Sequence, residues 1–260
     1  SNDWLTGIYL TTSVVSDHPD YVTRLRDEIG LNTVVLGFTG EMSDEVMKLS
    51  PYGGKTPSDE VLEGLILKHF DGRPIDPREY EQARNLCGPG VSANGDDATF
   101  RKVVTQLKDA GLDVWTYGGA WTIRRLMFCP SNPDTRRWME AACVHWATEY
   151  GLDALDITHF RYPMGSFPLG LFGCTCSHCR VEAGNLGYDM DDMVAALKDA
   201  RAGLRKLDGK RLGDVARLGF GFFDVLHALN LPSGVLDWVN FRCDLVVENL
   251  MQFKAAVHAA

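Results

Sequence analysis

The chain has 260 residues, of which 45% are hydrophobic and 23% charged, and its formal net charge is −9. That composition is ordinary for a globular protein with one large core, and the acidic balance argues against a nucleic-acid partner and, more weakly, against an anionic membrane surface. No apolar run reaches the roughly 18 residues that a membrane span needs.

The opening "SNDWLTG" carries no signal-peptide pattern, which leaves a cytoplasmic and an exported location both open. "GIYLTTS" (7–13) is a short β-branched apolar run and predicts a strand. "SDHPDYVTRLRDEIGL" follows with Ser16 or Asp17 as helix cap. "NTVVLGFTG" (32–40) predicts a second strand, and 41–97 a long insertion rich in turn residues. "DDATFRKVVTQLKDAGL" is a helix with a glycine stop, and "DVWTYGG" (113–119) a third strand. "SNPDTRRWMEAACVHWATEYGL" is a helix capped by Asn132 or Ser131, with Pro133 in its first turn. "LDALDITHFRYP" (152–163) predicts the fourth strand, and 164–188 a cysteine-rich loop. Beyond residue 188 the chain reads mainly as helix, with "LGFGFF" (218–223) a weak strand candidate.

Strands alternating with helices predict a parallel sheet. No G-x-G-x-x-G follows the first strand, so a dinucleotide-binding sheet loses support. The long insertions follow strands, which is where a (β/α)8 TIM barrel carries its active site. The expected fold is therefore α/β, a TIM barrel of which residues 1–260 hold mainly the first four β/α units as one C-terminally incomplete domain. Further strands or a second chain would close it, and a homo-oligomer fits that need.

Side chains alternate along a strand, so Asp156, Thr158 and Phe160 share one face, and Leu155, Ile157 and His159 the other. The apolar pair should meet the helices, leaving Asp156 to face the barrel interior as an acid/base or binding carboxylate. Glu41, after strand two, is a second and weaker catalytic candidate. Tyr117 and Trp121 after strand three, with Arg161 and Tyr162 at the mouth, offer aromatic and polar groups of the kind that line a sugar site. His159 joins them as a binding candidate, although its helix-facing position suits a packed histidine better. Glu41, Asp156 and His159 together could instead hold a divalent ion for a lyase or isomerase.

Of the seven cysteines, Cys143 and Cys243 read as thiols on buried helix faces. "CTCSHC" places Cys174, Cys176 and Cys179 close together, as a metal site, a disulfide framework or a redox pair. A tetrahedral zinc needs a fourth ligand, which Cys129 in "MFCPSNP" supplies, with His178 as backup. Four thiolates leave no open position, so the metal would be structural.

The run "CPSNPDTRRWMEAACVHWATEYGLDALDITHFRYP", followed by C-x-C-x-x-C-R, resembles a large group of bacterial glycoside-hydrolase-like proteins with TIM-barrel folds, best over 113–188. The cysteine layout is similar to that of family-42 β-galactosidases. That resemblance implies a structural zinc on Cys129, Cys174, Cys176 and Cys179, and a carbohydrate at the mouth of the barrel. Retaining enzymes of that clan carry Asn-Glu at the end of strand four, where this chain has "DITHFRYP". The departure points to a non-catalytic carbohydrate-binding barrel as the alternative.

Overall fold

The computed structural model describes residues 4–37, 97–119, 122–123, 126–127, 129–158, 175–205, 210 and 233–260. The described part of the chain is mixed α/β, built on a four-stranded parallel sheet. The described residues fall into two compact units. One takes those up to Thr158 together with Asn249–Ala260; the other takes those from 175 to Glu248.

In the first unit, β1 (Gly7–Leu10) is shorter than the sequence predicts. Thr11 turns the chain instead: its side chain accepts from the Val14 amide and caps α1 (Thr12–Asp17). A hydroxyl that satisfies an orphan helix amide favours a helix start over strand continuation. Pro19 has no N–H to extend α1, so it opens α2 (Pro19–Ile29) at the first turn, where that N–H is not needed. Gly30, at φ 73°, ends α2 in the left-handed region. β2 (Thr33–Gly37) then pairs in parallel with β1.

α3 (Asp97–Asp109) leads into β3 (Asp113–Gly119) on the predicted residues. Two short strands follow, β4 (Thr122–Ile123) and β5 (Leu126–Met127), paired antiparallel. Segments of two residues show no alternation, so the sequence carried no signal for them. α4 (Pro133–Glu149) starts as expected, with Asn132 accepting from the Asp134 amide at 2.9 Å. β6 (Ala154–Thr158) completes the sheet in the order β1-β2-β3-β6, which is the order of the chain without reversal.

One face of this sheet makes the core. Val34, Leu36 and Val114 pack with Val15, Val22, Phe100, Leu107, Trp138 and Trp146 from the helices, and Ile8, Leu10, Leu155 and Ile157 join them. Leu155 and Ile157 thus meet the helices, as alternation predicts.

Asp153 locks the start of β6 to β3. Its carboxylate accepts from the Val114 amide and from the Lys108 ammonium, both at 2.8 Å, and Lys108 also donates to the Gly151 carbonyl. This employment explains why the strand begins at Ala154 and not at Leu152. Burial works against the charged form of Asp153, but Lys108 and the Val114 amide outweigh it and hold the carboxyl below its ordinary range. Stability from this clamp is complete above the unfolded-state pKa of about 3.9 and is lost as pH falls through the lower folded-state value. Asp153→Ala should cost about 1–2 kcal/mol at neutral pH. Urea titrations at descending pH should show the variant losing less stability than wild type below about pH 4.

The second unit holds α5 (Ser177–Asn185), α6 (Met190–Arg205) and the start of α7 (Ser233–Ala259). α5 corrects the expected loop over 164–188. Arg180, Glu182 and Ala183 favour the helix, a signal that overlaps with the cysteine spacing. Asp189 caps α6, accepting from the Asp191 and Asp192 amides at 2.8 and 3.2 Å. Gly234 lets α7 approach α6, since a Cβ there would sit 2.9 Å from the Ala196 Cβ.

Cys243 is a second correction. α7 buries Trp238, Phe241, Leu245 and Asn249, and Cys243 lies two residues past Phe241, on the exposed side. Cys143 is buried as expected, and that burial, with Glu140 nearby, pushes its thiol up to about 12. At pH 8 iodoacetamide should therefore label Cys243 and spare Cys143 in the folded protein, and label both in denaturant, as read by peptide mass mapping.

Candidate functional site

The face of the sheet opposite the helices carries a different set of residues. Register places Tyr9, Val35, Trp115 and Ala154 across four strands, and Gly37, Tyr117 and Asp156 one step further along. Three of these positions are aromatic and one is a carboxylate.

Asp156 lies on this face, half-buried. The Tyr9 hydroxyl donates to its Oδ2 at 2.5 Å. The Tyr9 and Tyr117 rings meet edge to face with centroids 5.7 Å apart. Gly37, in register with Tyr117, presents no side chain on this face, while Val35 is the β2 residue opposite Tyr9.

The hydrogen bond has a geometric consequence. β2 and β3 lie between β1 and β6. Strands spaced about 4.8 Å apart put the outer two about 14 Å apart on a flat sheet, with side chains roughly perpendicular to it. The contact requires the sheet to curl so that this face is concave. The bond to Asp156, followed by the charge of that carboxylate, raises the Tyr9 phenol above its ordinary value, with burial and Tyr117 adding to it. The phenol therefore stays a neutral donor at physiological pH.

Tyr9 was missed from the sequence. The signal was present, because it alternates with Ile8 and Leu10, which face the helices. Thr11, Thr12 and Ser13, which follow β1, belong to the start of α1. Glu41, Trp121, His159, Arg161, Tyr162 and Cys174 lie outside the described residues.

A second set is made of thiols. Cys129 is buried ahead of α4, Cys176 is the N-cap residue of α5, and Cys179 is buried in its first turn. Cys129 belongs to the first unit and Cys176 and Cys179 to the second, and buried thiols of this kind could hold a metal ion. None of the three is in a disulfide, and the Sγ atoms of Cys176 and Cys179 are 3.7 Å apart, well beyond the roughly 2.05 Å of an S–S bond.

The first unit also has a cavity of about 590 Å³ between α4, β6 and the end of α7, lined by Cys143, Leu155, Ile157, Leu250, Phe253 and Val257. It opens on the helix side of β6, away from Asp156, and its largely apolar lining offers little chemistry.

Comparison with protein-family models, with curated proteins and with solved structures finds no significant match.

Proposed function

We propose that the chain is a glycoside-hydrolase-like protein that takes a carbohydrate on the concave face of a TIM-barrel sheet, at Asp156. The observation that carries the reading is the Tyr9–Asp156 hydrogen bond across two intervening strands. It supports a sheet curled toward the face on which no helix packs among the described residues, as a barrel needs. The strand order supports the same reading. A doubly wound sheet reverses its order and covers both faces with helices, whereas the described strands run in chain order and, among the described residues of the first unit, the helices share one core cluster. The apolar cavity beside β6 fits a further β/α unit packing there.

Aromatic side chains beside a carboxylate suit a pyranose, which presents apolar C–H faces and a rim of hydroxyls. Tyr9 is 61% exposed, so its ring is available to a ligand.

The proposed cofactor is one structural zinc. Tetrahedral Zn–S bonds of about 2.3 Å put neighbouring sulfurs about 3.8 Å apart, and the 3.7 Å between Cys176 and Cys179 matches that edge. Cys129 and Cys174 would complete the set. The zinc would hold the loop segments and leave catalysis to the carboxylates.

Hydrolysis of a panel of p-nitrophenyl glycosides tests the activity. Turnover by wild type, with kcat/KM reduced at least about tenfold in Asp156→Asn, is the expected result. One observation favours a second reading, binding without turnover: β6 holds Asp156 and no Glu. Pyranoside binding with no release of nitrophenol would select it. Neither binding nor turnover would overturn both readings.

A further inference from the structure

We infer that Tyr9 is a positioning residue that fixes Asp156 as a hydrogen-bond acceptor for a pyranoside hydroxyl, so that Asp156 binds the sugar and is not the proton donor of the site. The inference rests on the carbohydrate reading above and assigns a role within it.

Asp156 Oδ2 is taken by the Tyr9 phenol at 2.5 Å. A neutral phenol spends its single proton in that bond. The carboxylate then has Oδ1 to accept from a ligand, and an ionised carboxylate accepts only. A general acid needs the opposite arrangement, a protonated carboxyl with its O–H directed at a leaving oxygen. The Tyr9–Asp156 pair is built for the acceptor.

The aromatic groups complete the subsite. Tyr9 is held from the side by the edge of Tyr117, and Trp115 stands in register with Tyr9 two strands away. Two fixed contacts, one polar and one aromatic, restrict the Tyr9 ring. A restrained ring loses less entropy when a sugar stacks on it. The substrate class is a neutral pyranoside that lays one C–H face on the aromatic floor and donates a hydroxyl to Asp156. A uronic acid would place a second carboxylate beside Asp156 and is disfavoured.

The test has two arms, and they fail separately. Tyrosine labelled at 13Cζ, titrated to alkaline pH by NMR, reads the pair with no ligand present, and Tyr9→Phe assigns the resonance. Tyr188→Phe is the control, because Tyr188 is a different raised phenol, held at about 12 by Asp244. The Tyr9 resonance should titrate above the ordinary value of about 10 in wild type and return to it in Asp156→Asn. An ordinary wild-type titration, or one unchanged in Asp156→Asn, overturns the positioning role.

The second arm measures affinity for methyl hexopyranosides by isothermal titration. Tyr9→Phe keeps the ring and removes the hydroxyl, and should weaken binding about tenfold. Tyr9→Phe binding within twofold of wild type overturns the inference while leaving the sugar reading intact. If no pyranoside binds wild type, the sugar reading falls and the acceptor role falls with it, whatever the phenol titration shows.

Discussion

Trp138→Ala should destabilise the first unit by about 3–5 kcal/mol. Trp138 is fully buried in α4, packed in the cluster that joins the helices to the sheet. Truncation removes one of the two tryptophans there and leaves a cavity that the backbone of a parallel sheet is poorly able to collapse. The loss is a large fraction of the roughly 5–15 kcal/mol that holds a typical domain. Trp4→Ala is the matched control, since Trp4 is 80% exposed and its removal should stay within about 0.5 kcal/mol. Urea unfolding followed by far-ultraviolet circular dichroism reads both. A cost below about 1 kcal/mol for Trp138→Ala would mean that Trp138 is not packed in that cluster as described.

Cys179→Ser should have the second large effect, through the proposed metal. Cys179 is fully buried in the first turn of α5, with Cys176 Sγ at 3.7 Å. Serine keeps the size of the side chain but replaces a thiolate with a hydroxyl that is a far weaker ligand at neutral pH. Elemental analysis should find about one zinc per wild-type chain and a strongly reduced content in the variant. Thermal unfolding should shift downward in the variant, and strong chelation should lower wild type to the same midpoint, because a structural zinc contributes its binding free energy to folding. Wild type without metal, or Cys179→Ser that keeps it, would contradict the thiolate site.

Much of the architecture was legible because it is written locally. β3 shows its β-branched and aromatic character within "DVWTYGG", and Asn132-Pro133 marks the start of α4 without help from the rest of the chain. The alternation of Leu155, Asp156 and Ile157 was enough to place the carboxylate on the face away from the helices. The misreadings have a common cause in competing local signals. Thr11 looks like strand by composition but acts as a helix cap. The cysteines of "CTCSHC" look like loop because of their spacing, yet Cys179 lies within a helix. Cys243 required the register of the buried seam in α7, which depends on Phe241 and Leu245 finding partners.

The candidate site was half legible for a different reason. Asp156 and Tyr117 could be placed by alternation, and their register is a property of neighbouring strands. Tyr9 meets Asp156 only because the sheet curls, and curl belongs to the whole sheet. No window of sequence around residue 9 contains residue 156. Cys176 and Cys179 illustrate the other case, in which spacing within "CTCSHC" is local and by itself brings two thiols together.

The most direct test of a carbohydrate site at Asp156 is calorimetric titration of methyl hexopyranosides into wild type and Asp156→Asn, with circular dichroism confirming equal folding. At least one pyranoside should bind wild type, and its affinity should fall at least about tenfold in the variant, since a carboxylate acceptor is lost. Equal affinity in the two proteins, or no binding to wild type, would contradict it.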